Sequence, residues 1–202
     1  MSQTRELPFS HVRRIEDISS VGTAVRLCAT EAERKAIAKA MGIVSVEALE
    51  ADLLAVREGD RVRVSGRIKG QARQACVVSL DPVEEAIDAE IEIVFAPKEE
   101  ADALMRKAGL PDPDALDPDK LDAIDMASID MAAIDLAMLN DPDALPEPIL
   151  DGGIDFGHIA YDTLALELDP YPRKPGAAFE PPPEPEGFGN PFAVLKGLKP
   201  KS

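Results

Sequence analysis

Histidines with nearby carboxylates are the first place to look for chemistry in this chain. Of the two histidines, His11 and His158, only His158 has carboxylates at helical spacing, with Asp155 three residues before it and Asp162 four residues after it. Such neighbours can hold a metal ion or relay a proton when they share a helix face. A solvated helix face with a capping aspartate has the same spacing and is far more common. The sequence therefore favours a structural His158, and a hydrolase or nuclease is the least favoured class.

The two cysteines offer little chemistry. Cys28 and Cys76 lie 48 positions apart, too few and too scattered for a disulfide framework or a four-ligand zinc site. The sequence places Cys76 within an apolar strand, where we expect a buried and inert thiol, because reactive thiols need an accessible, electropositive site. With neither a P-loop nor a G-x-G-x-x-G motif in the chain, we predict no metal, no cofactor and no catalytic residue.

Basic side chains recur along one predicted strand and its continuation, and they are the best binding candidates: Arg61, Arg63, Arg67, Lys69 and, just beyond, Arg73. Alternate residues of a strand share a face about 6.5–7 Å apart, so the stripe could contact successive phosphate oxygens. Asp88, Glu90 and Glu92 form an acidic stripe of the same period nearby, and cross-strand ion pairs would use both stripes structurally. The sequence leaves both interpretations open.

The net charge of −16 is concentrated in one part of the chain. Residues 1–80 carry a net +3, residues 81–172 a net −21 and residues 173–202 a net +2. An acidic chain is a poor match for nucleic acid, whose binding depends on Lys and Arg at phosphates. The acidic part contains Asp125, Asp130 and Asp135, but a five-residue spacing turns each to a different helix face, so no cation site is expected. The acidic part is either a solvated linker or a surface for a basic protein.

The first half of the sequence has clear signals for the strands and the helix that must position these residues. Residues 9–15 and 21–29 are strand-like, and a helix is predicted between Thr30 and Gly42, with Thr30 and Glu33 as a capping box and Gly42 as a left-handed stop. Residues 46–56 show both helical spacing and the alternation of a strand, and periodicity alone favours a helix. After a Gly59-Asp60 turn, residues 61–69 alternate as a half-buried strand, Gly70 allows a tight reversal into a second strand, and Asp81-Pro82 turns into a third.

The second half is less regular. Residues 98–146 read as an acidic, low-complexity insertion, whereas residues 147–172 contain a core-docking helix capped by Asp155 and ended by Pro170. Residues 173–202 are a Pro-rich, basic tail, which we expect to be disordered, with a short amphipathic end that could dock on a partner. We predict an α+β fold in which residues 1–97 supply an antiparallel β-meander with one early helix, completed by the late helix. No membrane span or export signal is apparent, so a cytoplasmic location is expected.

Two segments resemble the YceD family of bacterial large-ribosomal-RNA accumulation proteins. In residues 64–97, a strand that begins near Gly66 leads to Cys76 and a Leu80-x-Pro82 turn, and residues 151–179 look like the family's late helix and proline-rich exit. The family-motif residues, expected to be structural, are Gly66, Cys76, Leu80, Pro82, Asp151, Asp155, Pro170 and Pro172. Many members have a C-x-x-C here, but this chain has Ser79 at the second position, which removes a zinc knuckle.

The resemblance also carries structural and functional expectations. It implies that residues 47–57 form a strand, which we adopt over the helical periodicity because that strand would lead directly into the Gly59-Asp60 hairpin. It implies a part in the synthesis, processing or stability of 23S rRNA, in a setting linked to the large-subunit protein L32. We therefore expect a non-enzymatic ribosome-biogenesis factor that binds a ribosomal protein or a pre-ribosomal particle, with direct rRNA binding through the basic stripe as the alternative.

Overall fold

The computed structural model describes residues 7–107, 143 and 145–178. Within them the chain forms a five-stranded sheet, a small two-stranded sheet and three α-helices. The strands of the five-stranded sheet lie in the order β2 (Thr23–Cys28), β3 (Ser45–Glu58), β4 (Arg61–Ala75), β5 (Pro82–Pro97) and β6 (Glu147–Ile149). All of the pairings are antiparallel except the short contact between β5 and β6. The predicted α+β class with a largely antiparallel sheet is therefore confirmed.

Three long strands form the centre of the sheet: β3 (Ser45–Glu58), β4 (Arg61–Ala75) and β5 (Pro82–Pro97). Each alternates apolar and polar residues, so one face is buried while the other carries most of the charges. The predicted turn between β3 and β4 is present, with Gly59 at φ +69°. The meander is confirmed and the chain reverses at the predicted Asp81-Pro82 turn, but the predicted turn at Gly70 is absent.

Gly70 does not turn the chain. It lies within the unbroken strand β4, opposite Leu49 on β3 and Ile87 on β5. A Cβ atom at Gly70 would lie 3.0 Å from Leu164 Cδ1, so the glycine admits a helix side chain close to the sheet. Residues 76–81 make the reversal between β4 and β5. Cys76 therefore lies in this loop, and the prediction that it lies within a strand is wrong.

The edge strand and the first helix follow the local signals. Strand β2 (Thr23–Cys28) pairs with β3, and helix α1 (Glu31–Met41) follows it. Glu33 N donates to Thr30 Oγ1 at 3.4 Å, and Thr30 N donates to Glu33 Oε2 at 2.7 Å, which completes the predicted capping box. Gly42, at φ +68°, ends the helix as predicted.

Strand β3 decides between the two interpretations of residues 46–56. Its residues pair with both β2 and β4, so the strand implied by the family resemblance is confirmed and the helical periodicity is misleading. Alternate side chains point into the core and are buried: Leu49, Ala51, Leu53 and Ala55. The period-two pattern was present in the sequence beside the helical one.

The last helix, α3 (Phe156–Glu167), closes the buried face of the sheet. Phe156, Ala160 and Leu164 are fully buried in the core, as the predicted helix face required. Strand β1 (Val12–Arg14) pairs with β7 (Gly153–Asp155), which brings the start of the described chain beside the start of α3. Phe9 is buried in the same core.

Residues after β5 continue as a helix, α2 (Lys98–Lys107), within the first part of the predicted insertion. Strand β6 (Glu147–Ile149) then pairs with Phe95–Pro97 at the end of β5. Val94, Ala96, Ala101 and Ile149 are buried in this corner. Most of the rest of the insertion and most of the Pro-rich tail lie outside the described residues. Among the helices that the structure describes, none is long and apolar enough to cross a membrane.

Candidate functional site

The side chains of the predicted basic stripe lie on one face of β4, the face turned away from the core. We call this surface the open face of the sheet. Because β4 is continuous, Arg73 lies on the same strand as the other four residues of the stripe. The acidic stripe of β5 lies directly beside it, since Arg67 is opposite Glu90 and Lys69 is opposite Asp88.

Arg63 is the most heavily paired residue of the stripe. Its Nη2 lies 2.7 Å from Asp143 Oδ1, its Nη1 lies 2.8 Å from Glu92 Oε1, and its Nε lies 3.4 Å from Glu58 Oε1. The hydrogen bonds to Asp143 and then Glu92 raise the pKa of the guanidinium above its ordinary value. Three carboxylates therefore surround one arginine, whose side chain is only 25% exposed.

The other arginines of the stripe are also bound by carboxylates. Arg67 bonds Glu90 and lies 3.3 Å from Asp88, and the hydrogen bond to Glu90 raises its pKa. Arg73 Nη2 lies 2.9 Å from Glu84, and its Nη1 lies 3.3 Å from Glu47 on β3.

Arg61 and Lys69 complete the stripe. Arg61 bonds Glu100 on α2, and its Nη1 donates to the backbone oxygen of Asp143 at 3.2 Å. Lys69 is exposed, and it is the one stripe residue without an ion pair among the residues described. Ion pairs to neighbouring strands, to α2 and to Asp143 thus occupy the four arginines that were candidates for phosphate contact.

These ion pairs affect which ligands the open face can bind more than they affect the stability of the fold. Exposed pairs of this kind contribute about 0.2–1 kcal/mol each. A phosphate approaching Arg63 or Arg67 would have to replace carboxylates that remain beside it and repel it. The geometry therefore makes the stripe a poor phosphate surface while the carboxylates are ionised.

Several family-motif residues come together at the loop between β4 and β5. Cys76 N donates to Asp81 O at 2.8 Å, and Leu80 N donates to Cys76 O at 2.9 Å, with Leu80 at φ +61°. Val77 N donates to the backbone oxygen of Pro172 at 2.9 Å, so the segment after α3 is tied to this loop. A second contact, a 3.0 Å ion pair between Lys174 Nζ and Asp81 Oδ2, has no signal in the sequence. That pair holds the pKa of Asp81 below its ordinary value.

The Cys76 sulfur is the acceptor at the centre of this loop. Backbone amides of Lys174, Val78 and Ser79 donate to Sγ at 3.3, 3.4 and 3.4 Å. Cys76 is fully buried, as expected, although it lies in a loop. These donors, the Lys174 amide first, lower the pKa of the thiol to about 6. Amide donors thus surround the sulfur, and the segment after Pro172 supplies one of them.

Four further motif residues lie at separate places in the fold. Gly66 has φ +151°, and a Cβ atom there would lie 2.2 Å from Asp52 O on β3. Asp151 adopts φ +51° in the turn before β7. Pro82 begins β5, and Pro170 lies in the segment that follows α3.

Asp155 connects the beginning of the described chain to α3. Its carboxylate caps the helix by accepting from Gly157 N at 3.0 Å and His158 N at 3.1 Å. The same carboxylate accepts from Ser10 Oγ at 2.6 Å and His11 N at 2.7 Å. The bonds from Gly157 and His158 confirm the predicted cap, whereas the bonds from Ser10 and His11 were not predicted.

The two histidines each face one carboxylate. His158 Nε2 lies 2.6 Å from Asp162, whereas His11 Nε2 lies 3.4 Å from Glu33. The Asp155 carboxylate accepts from backbone amides and from the Ser10 hydroxyl rather than from the His158 ring. In the part of the chain that the structure describes, no group of three or more His, Cys, Asp or Glu side chains could hold a metal ion. The predicted Asp125, Asp130 and Asp135 lie outside that part.

The fold and this surface define a small α+β protein with an ion-paired sheet face and a tail-linked cysteine loop. Residues 64–199 match the family described as "Large ribosomal RNA subunit accumulation protein YceD". The chain therefore belongs to the YceD family. No curated protein and no solved structure matches the chain.

Proposed function

We propose that this protein is a non-enzymatic ribosome-biogenesis factor that supports the synthesis, processing or stability of 23S rRNA by binding a basic ribosomal protein or a pre-ribosomal particle. The family match over residues 64–199 carries the ribosomal part of the proposal, since the family is named for large-subunit rRNA accumulation. We choose a basic protein as the partner because of charge. The arginines of the stripe are already paired with carboxylates, and the chain has an excess of acidic residues.

A basic partner fits the charge balance better than RNA does. Residues 81–172 carry a net −21, and the carboxylates of β5 lie beside the arginines of β4. A polyanion would meet repulsion at both places, whereas a basic ribosomal protein would be attracted by both. The large-subunit protein L32 is the first candidate, because the family resemblance links the two.

The experiment is an affinity pull-down of the tagged chain from cells at two salt concentrations, with RNase treatment of half of each sample. We expect large-subunit precursors at low salt, and after RNase a basic ribosomal protein that remains bound. Deletion of the gene should lower 23S rRNA relative to 16S rRNA. An unchanged rRNA ratio together with no particle association would refute the proposal.

Direct binding of rRNA is the second candidate, and Lys69 is the observation that favours it, because this exposed lysine has no ion pair among the residues described. A filter-binding assay at low salt compares the wild type with the Arg61→Glu, Arg63→Glu and Arg67→Glu triple variant. RNA retained by the wild type and lost in the variant would establish this candidate. No retention by the wild type would dismiss it.

A hydrolase or nuclease centred on His158 is the rival from the enzyme class. His158 pairs with Asp162 on the same helix, which is the arrangement of a solvated helix face. Full complementation of the deletion by a His158→Ala variant is the expected result. Loss of complementation by a folded His158→Ala protein would favour the enzyme instead.

A further inference from the structure

Strand β5 has an open edge over most of its length. It pairs with β4 from Pro82 to Phe95, but on its other side the described residues pair with it only at Phe95–Pro97, through β6. An unpaired strand edge presents a row of backbone donors and acceptors to any extended chain. Among the described residues, β2 also has one unpaired edge. The open edge of β5 is much longer, because β2 has only six residues.

The hydrogen-bond register identifies which β5 residues face this edge. Cys76 N bonds to Asp81 O, and the β4–β5 register continues from there without a bulge. Bonded and non-bonded pairs alternate along an antiparallel ladder, so the odd-numbered residues of β5 bond to β4. The even-numbered residues direct their backbone N–H and C=O groups outward: Glu84, Ala86, Asp88, Glu90 and Glu92.

The side chains of these outward residues lie on the open face, and four of the five are acidic. Although they pair with arginines of β4, they keep more than half of each side chain exposed, from 53% for Asp88 to 77% for Glu84. A carboxylate has acceptor sites for donors on both sides. The odd-numbered residues between them face the core side, where Ile91 and Ile93 are partly exposed.

From this pattern we infer that the open edge of β5 binds an extended segment of a basic protein, which adds to the sheet as a further strand. Lysine or arginine at alternate positions would lie beside the acidic side chains of β5, and apolar residues between them would lie beside Ile91 and Ile93. Opposite charges on paired positions stabilise neighbouring strands. This inference rests on the proposed function for the presence of such a partner and specifies where the partner binds.

Charge excludes two other occupants of the edge. A second copy paired through its own β5 would place Glu and Asp opposite Glu and Asp, which is destabilising. Residues 108–142 of the same chain, which lie between α2 and β6 in the sequence, carry nine aspartates and one lysine. Their charge would repel β5 but would attract the same basic segment.

To test binding, a fluorescently labelled twelve-residue peptide of alternating Lys and Val is titrated with the full chain, and its fluorescence anisotropy is measured. Two comparison peptides have the same composition in separate Lys and Val blocks, or Glu in place of Lys. We expect the alternating basic peptide to bind at least tenfold more tightly than either. Equal binding of the block peptide would overturn the inference, because charge alone would then suffice.

Ala86→Pro is the decisive variant. It removes an outward N–H from an exposed alanine and leaves the bonds between β4 and β5 in place. Ala24→Pro on the edge of β2 is the matched control, because the bond from Ala29 N to Leu49 O fixes Ala24 as outward by the same reasoning. We expect Ala86→Pro to weaken peptide binding at least tenfold and Ala24→Pro to leave it unchanged; the reverse result would overturn the inference.

Amide exchange followed by NMR identifies the mode of binding. In the free protein the amides of Ala86, Asp88 and Glu90 should exchange quickly while those of Ile87 and Ala89 are protected, and the peptide should protect the first group. Protection of the first group before the peptide is added would mean that the edge is already occupied, either by the chain itself or by a second copy. That outcome would overturn the inference.

Co-sedimentation separates this inference from the proposed function. If the wild type and Ala86→Pro associate equally with large-subunit precursors, the edge of β5 is not the docking site although the proposed function stands. If the wild type does not associate with precursors or alter rRNA levels, the proposed function itself fails.

Discussion

At the scale of single residues, Gly66 has the clearest structural requirement. An added methyl group at φ +151° would lie 2.2 Å from Asp52 O and 2.9 Å from Leu53 Cα, so β3 and β4 would have to separate. We expect Gly66→Ala to lower the free energy of unfolding by about 3 kcal/mol or more, as strain and a backbone clash combine. Urea denaturation measures the loss.

Gly59→Ala is the matched control for that measurement. Gly59 has φ +69°, but no atom lies within 4 Å of the position that its Cβ would take. Its substitution should cost only about 1–2 kcal/mol, the cost of a left-handed conformation. Equal losses in the two variants would show that close contact with β3 is unimportant.

Cys76 should make stability depend on pH. Its folded pKa, about 6, lies below the value of about 8.5 for a free thiol in the unfolded chain. The unfolded state binds more protons between these values, so the contribution to stability is fully present above pH 8.5 and is lost as the pH falls through 6. Urea midpoints of the wild type should rise with pH across this window more steeply than those of Cys76→Ala. Parallel profiles would contradict the amide-to-sulfur geometry.

What the sequence could supply at this scale was residue type and spacing. The alternation of Arg63 and Arg67, and that of Glu90 and Glu92, predicted a basic and an acidic stripe and left their pairing open. Which arginine pairs with which carboxylate depends on the register between β4 and β5. That register could not be predicted while a turn was expected at Gly70. The contact of Lys174 with Asp81 joins residues 93 positions apart and has no local signal.

At the scale of elements, Asp155 should matter more than an ordinary helix cap. Besides capping α3, its carboxylate accepts from Ser10 and His11 and so joins the N-terminal segment to the helix. We expect Asp155→Ala to cost more than about 2 kcal/mol, the upper value for a cap alone. Thermal or urea unfolding measures this cost.

Thr30→Ala is the comparison, since the capping box of α1 is purely local. It should cost about 1 kcal/mol. Asp155→Asn, which keeps one carbonyl acceptor, should retain part of the stability that Asp155→Ala loses. If Asp155→Ala costs no more than Thr30→Ala, the bonds to Ser10 and His11 contribute little.

Elements with local end signals were predictable, and elements defined by partners were less so. Helix α1 has its capping box and Gly42 in the sequence, and α3 has Asp155 and Pro170. Residues 46–56 satisfied helical and strand periods together, and only pairing with β2 and β4 resolves the choice. Gly70 was predicted to be a turn residue, but it lets Leu164 of α3 pack close to the sheet. The sequence could not predict that role, because it is a contact between distant parts of the chain.

At the scale of the whole molecule, the distribution of charge is the property that the proposed function uses. If the acidic excess attracts a basic partner, changing the nine aspartates of residues 108–142 to asparagine should weaken binding and reduce its dependence on salt. The change removes nine of the 38 acidic residues of the chain without altering its length. Binding of a basic ribosomal protein such as L32, measured by anisotropy across a salt series, should fall at least tenfold at low ionic strength. The difference should vanish near 1 M salt, where the screening length is about 3 Å. An affinity unchanged at low salt would confine recognition to the folded part of the chain, and the edge of β5 would then have to account for it alone.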